Sequence, residues 1–139
     1  MKKTKTEKAF DFTTIKSYED AAKRINIDAV KSLPDVSKCP AFLKKFIVAA
    51  YKLAVIASAI RGDIKLDWSN PNEWKYYPYH WIKADKKHPA GFGFSASGYT
   101  YAHSCTDIGS RLSFDTSEKA LYFSKNFHDL WIDFKLEID

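Results

Sequence analysis

Between Pro40 and Gly62 the chain reads AFLKKFIVAAYKLAVIASAIR, and no other stretch restricts the fold as strongly. Leu43, Phe46, Ile47, Ala50, Leu53, Ala54, Ala57 and Ile60 recur at three- and four-residue spacing, which lines up one face of an α-helix. Pro40 suits the start, where a missing N–H leaves no hydrogen bond unmade, and Gly62 is a natural stop. A long helix with one apolar stripe requires a second layer to cover it. The run Phe46 to Ile60 is interrupted by Lys52 and is too short to span a bilayer, so no membrane partner is expected.

Shorter signals flank this helix. Ser17-Tyr-Glu-Asp20 has the composition of a helix N-terminus, and a short helix should run from it to about Ile25. Pro34 and Pro40 punctuate the turn that follows. Beyond Gly62 the composition changes: Asn70-Pro71-Asn72 marks a turn, and strands are expected at about 75–83, 91–103 and 108–114. Lys86-Lys87-His88-Pro89 separates the first two, and Asp107-Ile108-Gly109 the last two. Asp115-Thr-Ser-Glu118 reads as a capping box opening a last helix. Its stripe is Ala120, Leu121, Phe123 or Ser124, Phe127, Leu130, Trp131 and Phe134. The expectation is one α+β domain over residues 13–139. It has two N-terminal helices, a three-stranded antiparallel sheet, and a C-terminal helix packed on one sheet face.

The net charge of +5 is carried by the first half, whereas the aromatic-rich second half is slightly acidic. Lys2, Lys3, Lys5 and Lys8 lack the apolar segment of a signal peptide, so residues 1–12 are expected to form a disordered basic arm. Two cysteines, Cys39 and Cys105, allow one disulfide and imply no framework; a cytoplasmic protein with reduced thiols is the expectation. No phosphate loop, dinucleotide turn, HExxH or GxSxG motif occurs, so no catalytic residue and no cofactor are assigned.

Residues 75–81, KYYPYHW, are the densest aromatic segment. In a strand, Tyr77, Tyr79 and Trp81 share one face, and Tyr76, Pro78, His80 and Ile82 the other. Neither face is polar. Either the strand is covered on both sides by sheet packing, or it presents rings to a ligand. Pro78 belongs at an edge or a bulge, which favours some exposure. The candidate binding residues are Trp68, Trp74, Tyr77, Tyr79, Trp81, Tyr99, Tyr101 and Arg111, the one arginine of the second half. Lys75, Lys83, Lys86, Lys87 and Arg111 stand near the rings but are set among Asp67, Glu73, Asp85 and Asp107, a weak balance for a polyanion site. His103, Cys105 and Asp107 would share a strand face if extended, yet a spacing of about 6.5–7 Å between neighbours hinders convergence on one ion. No metal site is expected.

Trp68 and a loop leading into Lys75-Tyr-Tyr-Pro-Tyr79, Gly91-Phe-Gly-Phe94, a Tyr-rich segment to Tyr101, and Gly109-Ser-Arg-Leu-x-Phe114 precede a helix beginning Ser117-Glu-x-Ala120. Over roughly residues 17–138 this combination resembles a group of small uncharacterised proteins from gut bacteria and their phages or prophages. The resemblance implies a phage or mobile-element context and transfers no catalytic residue. The expected function is that of a non-enzymatic accessory or structural protein, acting through protein–protein contacts or self-association on an aromatic strand edge. The alternative is a single-stranded nucleic-acid-binding module using the same rings and the basic arm.

Overall fold

A computed structural model describes residues 10–84 and 92–136, with backbone alone for 84 and 92–97. The order is a 3-10 turn at Phe12–Thr14, α1 (Tyr18–Arg24), α2 (Ala41–Arg61), β1 (Lys75–Ala84), β2 (Phe92–Ala102), a 3-10 turn at Ser110–Leu112, α3 (Ser117–Asn126) and α4 (His128–Lys135). Among the described residues the architecture is α+β, as expected, with four helices and a two-stranded antiparallel sheet. The first nine residues of the expected arm, and the expected break at Lys86–Pro89, lie outside the described residues.

In α1, Ser17 Oγ accepts from Asp20 N, satisfying a free donor of the first turn, and Asp20 Oδ2 accepts in return from Lys16 N just before the cap. Ala21 and Ala22 are wholly buried, and their small side chains let α1 lie close against α2. The Tyr18 hydroxyl donates to Ala29 O and ties down the chain that leads to Pro34.

The helix α2 starts after Pro40 and stops at Gly62, whose φ of 68° favours glycine. Its burial departs from a single stripe. Ala49, Val55, Ile56 and Ala59 are buried in addition to Leu53, Ala57 and Ile60, because α1 packs on one side and α3 and α4 on another. The first turns do the opposite. Phe42 and Phe46 are exposed, although Phe46 stacks on Phe134 at 5.5 Å.

The expected C-terminal helix is two helices. Thr116, not Asp115, caps α3 by accepting from Lys119 N, while Asp115 pairs with Lys119 Nζ at 2.9 Å. At Phe127 the backbone leaves the helical region (φ −128°, ψ 49°), and Asn126 Nδ2 donates to Tyr122 O at the end of α3. The bend lets Phe123, Phe127 and Trp131 enter one core, where Phe123 lies 4.9 Å from Trp131 and 5.3 Å from Phe114. Trp131 Nε1 donates to Phe123 O, satisfying its buried donor.

The expected third strand at 108–114 is reduced to a single bridge, Tyr76 to Phe114, made by both N–H···O bonds at 2.9 and 2.7 Å. Gly109 turns the chain at φ 90°, and Ser110–Leu112 close a 3-10 turn. Arg61 Nη1, reaching from the end of α2, donates to Arg111 O and Ser113 O. The acceptors a strand would offer are therefore taken by an arginine distant in sequence.

Candidate interaction surface

Register settles which rings share a face. Tyr77 stands opposite Thr100 and Tyr79 opposite Gly98, while Tyr76 stands opposite Tyr101 and Pro78 opposite Tyr99; a bulge follows at Trp81/Ile82. Directly opposed residues project to the same side. Tyr79 and Trp81 therefore lie on one face, and Trp74, Tyr99 and Tyr101 on the other. Ring contacts agree: Tyr79 meets Trp81 at 6.3 Å, Tyr76 meets Tyr99 at 5.9 Å, and Trp74 sits between Tyr101 at 4.4 Å and His103 at 4.7 Å. The candidates make two patches, not one platform.

Not all of them are exposed. Trp81 is 63% and Tyr101 54% exposed, and Trp74, Tyr79, Tyr99 and Ile82 also face solvent. Tyr77 is buried at 8%, its hydroxyl donating to Asp107 Oδ2 at 3.1 Å; burial, then Asp107, raises its pKa. It belongs to the fold. Tyr79 has a structural share as well, because a Cβ at Gly98 would lie 2.9 Å from its ring, so only glycine admits the close cover.

The edges of the sheet matter as much as its faces. Tyr76 directs its N–H and C=O to Phe114, and the alternation of an antiparallel ladder turns Pro78 to the same side, away from β2. Its absent N–H therefore costs the hairpin nothing. The outer edge of β2 has no strand partner among the described residues.

Beneath this hairpin lie two polar arrangements that strand periodicity could not show. Lys75 is wholly buried: its Nζ donates to Asp67 O and Asn70 O, stands 3.6 Å from Glu73 Oε1, and lies 5.4 Å from the Trp68 ring centroid. It organises the loop that carries Trp68 and Trp74. His80 is half-buried against Trp131, with Nε2 at 3.0 Å from Ser124 O and Nδ1 at 2.8 Å from Lys135 Nζ. A carbonyl only accepts, so Nε2 carries the proton and Nδ1 accepts from the lysine. Burial first, then Lys135 and His128, lowers the His80 pKa to about 4, while burial lowers Lys135 to about 8.

The remaining candidates separate. Trp68 and Arg111 line a cleft at the end of α2 whose lining includes none of the exposed hairpin rings. His103, Cys105 and Asp107 do not converge: His103 packs on Trp74, Cys105 is an exposed free thiol, and Asp107 accepts from Tyr77. Among the described residues no group of His, Cys, Asp and Glu is placed to hold a metal, and no helix is long and apolar enough to cross a membrane. Comparison with protein-family models, with curated proteins and with solved structures finds no match for this chain.

Proposed function

We propose that this is a non-enzymatic accessory or structural protein that binds a protein partner, or a second copy of itself, through the aromatic hairpin. The supporting observation is the exposure of Trp81 and Tyr79 on one face, with Trp74, Tyr99 and Tyr101 open on the other. Large rings are enriched at interface centres, where they bury much area at low cost in conformational entropy. The outer edge of β2, which has no strand partner among the described residues, adds main-chain donors and acceptors that an incoming strand would use. The phage or mobile-element setting suggested by sequence resemblance accords with a small adaptor of this kind.

The nucleic-acid reading on the same rings is less well supported. Lys75 is buried under its loop and Lys135 is engaged with His80, which leaves Lys83 as the exposed cation of β1. Lys86 and Lys87 lie outside the described residues.

The test pairs sedimentation of the purified protein over a wide concentration range with affinity capture from the source cell. Wild type is compared with a Trp81→Ser/Tyr101→Ser variant. A dimer, or a captured protein, that is lost in a variant with unchanged thermal stability is the expected result. A monomer at all concentrations, with identical capture by both proteins, would sink the proposal.

A further inference from the structure

A second surface lies apart from the hairpin rings. Where α2 ends, Arg61, Asp63, Lys65, Trp68 and Arg111 line an open cleft of about 650 Å³, within the range of small-molecule sites. Cations near a helix C-terminus are favoured by its dipole, and that accounts for two of the local ones. Arg61 holds the carbonyls of Arg111 and Ser113, and Lys119 Nζ donates to Arg61 O. It does not account for Lys65 and Arg111. Both are exposed, and neither side chain has a hydrogen bond or ion pair among the described residues. The lining carries three cations against one carboxylate, Asp63, with Asp115 acting on Arg61 from outside the cleft, a surplus of positive charge that favours an anion.

We propose that this cleft binds a nucleoside phosphate. The phosphate would be held by Arg111 and Lys65, with Arg61 adding positive charge from the wall and the Trp68 ring stacking on the base. A doubly charged phosphate matches the surplus of cations better than a carboxylate does, and a guanidinium fork fits its oxygens. The indole supplies a flat apolar wall that inorganic phosphate would leave unused. None of the exposed rings on β1 or β2 lines the cleft, although Lys75 of β1 holds the loop that carries Trp68.

Calorimetric titration of the full chain with AMP, and separately with inorganic phosphate, tests this at low ionic strength. AMP should bind saturably at submillimolar concentration, more tightly than phosphate and less tightly as salt is added. Arg111→Ala should weaken AMP at least tenfold with thermal stability unchanged, because the exposed side chain makes no hydrogen bond or ion pair among the described residues. Trp68→Leu should bring AMP down to the affinity of phosphate. Trp81→Ser/Tyr101→Ser should bind AMP like wild type, which keeps this site separable from the hairpin proposal. No saturation at millimolar AMP, or equal affinity in the Arg111→Ala protein, would overturn the assignment. Equal affinity for AMP and phosphate in wild type would remove the nucleoside.

Discussion

Trp131 and Trp81 are the same residue type in opposite circumstances. Trp131 is fully buried, its ring against Phe123 and His80 and its N–H satisfied by Phe123 O, whereas Trp81 is 63% exposed on a two-stranded hairpin. The helical layer closes around its rings. The hairpin has too few strands to close around its own, since the segment that would have extended the sheet is diverted to Arg61. The buried rings of the first region contribute to stability, whereas the exposed rings of the second, Trp81 and Tyr101 above all, present most of their surface to solvent.

Substitutions can break that contrast. Trp131→Ala should cost about 3–5 kcal/mol, the usual loss for a large aromatic removed from a core, measured by urea unfolding. Lys75→Met should cost about 3 kcal/mol, because two carbonyls and the Glu73 carboxylate lose a buried donor. The same variant should bring faster proteolysis in the loop 67–74. At the other end of the scale, Trp81→Ala should change stability by no more than about 0.5 kcal/mol, as exposed positions generally do.

An intermediate effect concerns pH. The folded protein holds His80 neutral to about pH 4, whereas the unfolded chain protonates it near 6.5. Between those values the unfolded state binds more protons, so stability rises with pH and is lost as pH falls from about 6.5 to 4. His80→Gln should show a shallower loss over that window than wild type. Matching slopes would mean that the histidine is not held by Ser124 and Lys135 as described. For Lys135 the same sign applies at higher pH: its contribution improves as pH rises from about 8 to 10.5.

The parts of this fold readable from sequence are those determined by near neighbours. The apolar spacing and end residues of α2, the cap at Ser17 and the alternation of β1 all depend on groups within a few residues. The break between α3 and α4 was hidden because Phe123, Phe127 and Trp131 keep helical spacing across it, with no glycine or proline to mark it. The missing third strand depends on Arg61, some fifty residues upstream. Exposure of the rings was half readable: alternation names the residues on each face, but the loop that brings Asp107 to Tyr77 decides which of them is buried. Trp68 and Arg111 were singled out separately, and only the fold brings them to one cleft.

Urea unfolding of the Trp81→Ala/Tyr101→Ala protein tests the central contrast most directly, since it removes one exposed ring from each face of the hairpin. A midpoint and slope close to wild type, with a loss under about 1 kcal/mol, is predicted for rings that serve contacts. A loss approaching that of Trp131→Ala would place both rings in the core and contradict the account.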